Sequence, residues 1–449
     1  MKTANPPCGA RALRGAMVTF DGDPFVDPAG ALRYESDAVV VVEDGRVDAA
    51  GPWTELRGEL PAGIEVTHYP DALILPGFID CHVHYPQTGI IGAFGRQLID
   101  WLQEYTFVAE QGFGDRGHAR AAADLFLGEC LRAGTTTAAV FCTVHPESVD
   151  AFFEASAALG MRNIAGKVLM DRNAPPALTE TPEAGAEATR ELIGRWHGRG
   201  RALYAVTPRF APTSSPEQMA LAGEIWAGHP GTYLQSHVSE TLQEVAWVRS
   251  LFPGQAGYVD VYRHFGQLGP RAIFGHGIHL TEAERETLSA TGTAIAHCPT
   301  SNLFLGSGLF SVAQAVDSSR PIRVGLGTDL GAGTSFSQLA TMNEAYKVAQ
   351  LCGHALSARE AFYLATGGAA RALYLDDTIG SIAPGMEADM VVLDLKATPL
   401  VDYRVGLARD IDEVLFVLMT LGDDRAVRAT WVGGEPAYIR DDDGRASSP

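Results

Sequence analysis

Lysine is nearly missing from this 449-residue chain: only Lys2, Lys167, Lys347 and Lys396 occur, and Asp plus Glu outnumber Lys plus Arg by 54 to 34. The formal net charge of −20 argues against binding to nucleic acid or an acidic membrane, because either needs a basic patch to meet phosphates. Cysteine is scarce too. The six residues Cys8, Cys81, Cys130, Cys142, Cys298 and Cys352 contain no C-x-x-C pair, which leaves neither a dense disulfide framework nor a zinc-finger spacing and fits reduced thiols. Long uncharged apolar runs are absent, and Met1–Pro7 has no apolar segment of the signal-peptide kind. A cytoplasmic protein that does not enter membranes is expected. What is present is ordinary globular material, 46% hydrophobic and 20% charged, long enough for one large domain and a smaller one.

Both ends of the chain read as short strands. Ala38-Val39-Val40-Val41-Val42 runs into a Glu43-Asp44-Gly45-Arg46 turn, and Ala388–Asp394 and Ala429–Glu435 repeat the pattern near the C-terminus. Two β-rich ends around one central block imply a small β-sandwich domain made from 1–75 and 380–449, with the tail from Asp441 disordered. The block between, 76–379, alternates apolar runs beginning near Leu75, Thr135, Ile164, Leu203, Thr232, Ala272, Thr293 and Ile322 with helical stretches such as Arg120–Arg132. Eight such units indicate an α/β fold, a (β/α)8 TIM barrel. An open doubly wound sheet would alternate in the same way. Polar residues recur at the C-terminal ends of the runs, where barrel enzymes carry their chemistry, and this favours the barrel.

His82-Val83-His84 closes the first run. Residues two apart on a strand share a face, so both imidazoles can converge on one ion. With 13 histidines in the chain an isolated H-x-H means little. Further candidates, however, stand at later strand ends: His237 after Thr232–Ser236, His276 after Ile273–Gly275, and Asp329 after Val324–Thr328. Imidazole and carboxylate suit Zn²⁺ or Fe²⁺. Glu240, three residues beyond His237, is the natural proton shuttle beside a metal-activated water.

The strings Pro76–His84, Ser236–Glu240, His276-Gly277 and Gly327-Thr328-Asp329 together resemble the amidohydrolase superfamily. Within it, His84–Thr88, Ile91–Gly95, Trp101-Leu102, Tyr105–Phe107, Thr207–Ala211, Ala296–Leu303 and Leu421–Arg425 are similar to the guanine deaminases. The resemblance implies hydrolytic deamination of guanine to xanthine and ammonia by a metal-activated water. It implies His82, His84, His237 and Asp329 as metal ligands and Glu240 as general acid/base. His276 is implied to hydrogen-bond the water or the forming tetrahedral centre, and Asp329 to share in accepting the water's proton. A homodimer is implied as well. Binuclear relatives carry a bridging Lys on the fourth strand; Leu203–Pro208 has none, and Lys167 sits in the third run. One divalent metal per subunit, Zn²⁺ with Fe²⁺ as the alternative, is therefore expected.

Guanine offers two acceptors, O6 and N7, which the Arg209 guanidinium can meet as a fork, whereas adenine presents a donor at the same edge. Gln87 has both donor and acceptor atoms for the remaining polar edge, and Phe210 can stack on the purine. His237, Glu240 and Asp329 complete the expected substrate contacts. The rivals are deamination of another aminated heterocycle (8-oxoguanine, a pterin or an s-triazine) and a non-catalytic scaffold. His279, His297, Cys81 and Cys298 are expected to do no more than support or pack.

Overall fold

The computed structural model describes residues 10–61, 63–95 and 97–440; Lys2, Cys8 and the tail from Asp441 lie outside the described residues. Strands β1 (Arg11–Phe20), β2 (Leu32–Glu43), β3 (Arg46–Pro52) and β4 (Glu65–Pro76) come from the N-terminal stretch. The central block supplies β5 (Phe78–His84), β6 (Thr135–Phe141), β7 (Arg162–Gly166), β8 (Val168–Leu169), β9 (Leu203–Pro208), β10 (Tyr233–Val238), β11 (Ala272–His276), β12 (Ala294–His297) and β13 (Arg323–Leu326). The last strands are β14 (Met390–Asp394), β15 (Val427–Val432) and β16 (Glu435–Ile439).

The central strands are apolar on both faces; β5 and β6 are buried along their whole length. Such strands need cover on two sides, and a barrel wrapped in helices provides it. Their order is β5-β6-β7-β9-β10-β11-β12-β13, all parallel, with β8 paired to β9. Every expected run forms a strand. The first is divided: Leu75 falls within β4, and the barrel strand starts at Phe78 after Gly77. A Cβ on Gly77 would lie 2.2 Å from Thr136 Oγ1, so only glycine fits this crossing. The interior is filled by Ile79, Cys81, Ala139, Ile164, Ala205, Tyr233, Ile273, Ala294, Ala296 and Cys298, plugged at the far end by Ala369, Ala370 and Leu373. Outer helices begin at side-chain caps such as Asp115, Thr181, Ser215, Thr241 and Thr281, which satisfy their first free N–H groups.

Strand β5 departs from regular pairing on both of its edges. Between Asp80 and Val83 its pairing with β6 slips, three residues advancing against two. That bulge reverses the side-chain parity, so Ile79 and Cys81 fill the interior and His82 and His84 still turn inward above them. On the other edge, the seam between β13 and β5 is closed partly by a side chain. Asp329 N donates to His82 O at 2.9 Å, while the Asp80 carboxylate accepts from Thr328 N at 3.0 Å, His82 N at 3.2 Å and the Thr328 hydroxyl.

The termini form one seven-stranded sheet, β16-β15-β14-β4-β1-β2-β3. In a flat sheet β2 and β15, four places apart, would be separated by about 19 Å. Instead a Cβ on Gly434 would touch Val42, and Arg11 pairs with Glu435 at 2.8 Å. The sheet therefore curls over a core of Leu13, Met17, Val40, Val42, Ile74, Met390, Val392 and Trp431, the two-layered arrangement expected of the ends. The C-terminal helix Ile411–Leu421 packs instead on the barrel helices Gln338–Leu351 and Ala358–Leu364.

Charge ties the sheet to the barrel. Arg162 of β7 and Arg201 reach Glu387, with Nε–O distances of 2.8 and 3.0 Å, and Arg201 also pairs with Asp389. Replacing Glu387 by Gln leaves two half-buried guanidiniums short of a counter-charge and is expected to lower the unfolding free energy by about 3 kcal/mol, read by urea denaturation at neutral pH. Burial opposes ionisation of Glu387, yet Arg162 and Arg201 hold its carboxyl below the ordinary 4.5. Its stabilisation is thus complete above that value and is lost as pH falls through the lowered one, so the gap between wild type and variant should close in acid. An equal gap at all pH values would contradict this.

Candidate active site

The C-terminal ends of the strands gather the expected residues into one buried cluster. His82 and His84 end β5, His237 lies in β10, His276 ends β11, and Asp329 follows β13. Ligand atoms of His82, His84, His237 and Asp329 all lie within 4.8 Å of one another. The individual separations are 3.1 Å for His84 Nε2–His237 Nε2, 3.4 Å for His82 Nε2–Asp329 Oδ1 and 3.3 Å for His84 Nε2–Asp329 Oδ1. Donors about 2.0–2.1 Å from one ion at tetrahedral angles sit roughly 3.4 Å apart, so the spacing fits a shared divalent cation. His82 Nε2 has no hydrogen-bond partner although buried, as a metal-directed nitrogen should.

The protonation states agree with that use. His237 Nδ1 stands 2.7 Å from the Arg209 carbonyl, which can only accept, so Nδ1 carries the proton and Nε2 keeps its lone pair. Burial is the main cause that holds the three imidazoles neutral: His82 is lowered, His84 is lowered to about 3, and His237 is held well below its ordinary value. Asp329 is also buried, which resists ionisation, but His82 and His84 override this and hold its carboxyl well below the usual range. Neutral imidazole and ionised carboxylate are the ligating forms.

His276 stands slightly apart. Its Nε2 is 3.5 Å from Glu240 Oε2 and 3.8 Å from Asp329 Oδ2, and its Nδ1 is fixed by Asn302 Oδ1 at 2.9 Å. Burial works against its charge, yet Glu240 and Asp329 together raise its pKa. Glu240 is pushed up to about 7, first by burial and then by the neighbouring carboxylates of Glu244 and Asp329, with His276 pulling the other way. Ser307 Oγ donates to Glu240 Oε1 at 2.8 Å, leaving Oε2 toward His276. Backbone strain marks the same strand ends: φ is 51° at Ser239, 74° at His276 and 48° at Asp329, a left-handed region that side chains other than glycine enter at a cost.

Residues of the cluster line a pocket whose walls also include Gln87, Leu98, Trp101, Leu102, Arg209, Phe210, Leu305 and Ala332. The segment after β5 delivers several of these. It crosses the mouth as a 3₁₀ turn Tyr85–Ile90, a short helix Leu98–Trp101, a π turn Leu102–Thr106 and a helical turn Phe107–Glu110. Residues 73–437 match the amidohydrolase family. The chain belongs to that family.

This amidohydrolase is 50% identical over 432 residues to guanine deaminase of Escherichia coli (strain K12), the alignment covering 96% of this chain and 98% of that one. Among solved structures, E. coli guanine deaminase superposes with a TM-score of 0.94 at 49% identity, covering 96% of this chain and 100% of that one. Guanine deaminase from C. acetobutylicum, with guanine bound in its active site, gives a TM-score of 0.85 at 29% identity, covering 96% and 100%.

Sequence reasoning did not single out Glu110, which is fully buried against Arg209, with its carboxylate oxygens 2.7 and 3.0 Å from Nη1. The signal was indirect: a buried arginine demands a carboxylate. Asn302 and Asp80 lie inside the family-like motif strings, and Ser307 lies beyond them. His279 Nε2 is 2.9 Å from the Ser307 carbonyl, and His297 is buried and pushed down to about 3 by that burial. Cys81 and Cys298 pack in the barrel. Lys167 is buried and paired with Glu180, outside the ligand cluster. Wild-type protein is therefore expected to hold one divalent ion per chain after dialysis, and His82→Ala and Asp329→Ala to hold none, as measured by plasma emission. Two ions per wild-type chain would contradict the single site.

Proposed function

We propose that this amidohydrolase hydrolyses the 2-amino group of guanine, giving xanthine and ammonia. What carries this is one pocket lined both by the histidine–aspartate cluster with Glu240 and by Arg209 and Gln87, in a chain 50% identical to a guanine deaminase. His82, His84, His237 and Asp329 would hold the ion, proposed as Zn²⁺, with Fe²⁺ satisfied by the same donors. Bound there, a divalent cation supplies a Lewis acid that makes water nucleophilic near neutral pH.

The protein's own groups do the rest. Arg209 donates to O6 and N7, Gln87 meets a second polar edge, and Phe210 lies along the ring face, which together turn C2 toward Glu240. Glu240, its pKa raised by burial, takes a proton from the water and delivers it to N3 as C2 becomes tetrahedral. His276, anchored by Asn302, donates to the oxygen on C2. Asp329 accepts the remaining water proton, which passes to the amino nitrogen as the C2–N bond breaks; ammonia leaves and the proton on N3 stays with xanthine. The homodimer and cytoplasmic location implied by the family resemblance go with this activity.

The decisive assay is ammonia release from guanine, adenine, cytosine and 8-oxoguanine with and without chelator. Guanine is expected to be turned over fastest, and chelation to abolish turnover; another base reacting in place of guanine would overturn the substrate. Glu240→Gln is expected to keep its metal and lose about 10³-fold in kcat. Substantial activity in that variant would remove Glu240 from its role.

A further inference from the structure

Arg209 is 2% exposed and Glu110 is 0% exposed. The pair spans two elements, since Arg209 follows barrel strand β9 and Glu110 ends the segment that crosses the mouth. Both carboxylate oxygens meet the same nitrogen, Nη1, at 3.0 and 2.7 Å, and the Phe107 ring lies 5.5 Å from the guanidinium carbon. Nη1 is thereby occupied and the plane of the fork is fixed. Nε and Nη2 have no acceptor among the described residues, and Arg209 lines the pocket. Two parallel donors thus stay available, the arrangement that reads a pair of adjacent acceptors.

Glu110 also has the Gln87 side chain within hydrogen-bonding reach. An ionised carboxylate only accepts, so it takes the NH₂ end of that amide. The carbonyl end is left beside Gly331, where a Cβ would lie 2.2 Å from Gln87 Oε1. One buried carboxylate therefore orients two pocket groups, making one a pure donor and the other an acceptor. A neutral residue at 110 would leave the fork free to turn and the amide free to flip.

We infer that Glu110 is a positioning residue that sets purine specificity, by holding Arg209 and Gln87 in the orientation that recognises a 6-oxo group. This rests on the guanine reading of the pocket, but it concerns binding and is tested apart from turnover. The probes are hypoxanthine, which has O6 and lacks the 2-amino group, and purine, which lacks both. Each is titrated into the metal-loaded full-length protein by calorimetry.

In Glu110→Gln the Kd for hypoxanthine is expected to rise about 100-fold, the loss of one charge-assisted contact, while that for purine moves less than about threefold. Metal content should be unchanged. Glu110→Asp keeps the charge on a shorter arm and provides the same comparison if Glu110→Gln does not fold; a rise of about tenfold for hypoxanthine alone is expected there. Equal rises for both ligands, or no rise for hypoxanthine, would overturn the role of Glu110. Selective hypoxanthine binding by a wild type that releases no ammonia from guanine would instead overturn the deaminase reading and leave Glu110 in its role.

Discussion

Three imidazole nitrogens and one carboxylate oxygen, drawn to within 4.8 Å of one another inside a protein, are costly to assemble from a chain that must desolvate all of them. Their neutral and ionised forms survive only because the groups satisfy each other and their backbone neighbours. Much of the surrounding structure depends on this. His237 is held by a carbonyl, His276 by Asn302 and Glu240 by Ser307. The bulge in β5 is needed so that a filled barrel interior and two inward-facing histidines can occupy the same strand.

The backbone contributes as well as the side chains. Ser239, His276 and Asp329 adopt left-handed conformations at three strand ends. Such geometry persists only where the surroundings over-determine it, and here those residues lie in or beside the cluster itself. Strand ends deliver the polar groups, while one loop segment delivers half of the apolar lining. Trp101, Leu98 and Leu102 arrive on short turns, one with π geometry, a form that recurs at functional positions.

A good part of this is legible in the sequence, for identifiable reasons. The period of two shows that His82 and His84 share a face, and the position of each polar residue after an apolar run marks His237, His276 and Asp329 as strand-end groups. Apolar alternation likewise announces eight strands. Local pattern carries no information about Glu110, whose partner is 99 residues away and which reaches it only through the path of an irregular loop. Asp80 is similar: it looks like an ordinary polar residue in an apolar strand, and its partner Thr328 is 248 residues further on. The curl of the terminal sheet depends on contacts between its two ends, which no single segment encodes.

The barrel seam joins the first strand to the last, and three of the four residues proposed to hold the cation, His82, His84 and Asp329, straddle that same seam. Asp80 and His82 stand on one side, Thr328 and Asp329 on the other, so residues that close the seam alternate with residues of the cluster. A chain emerging from the ribosome carries its first two imidazoles early, gains His237 with the fifth barrel strand, and lacks the Asp329 carboxylate until the eighth strand docks. The complete set of four groups is therefore a property of the finished circle alone.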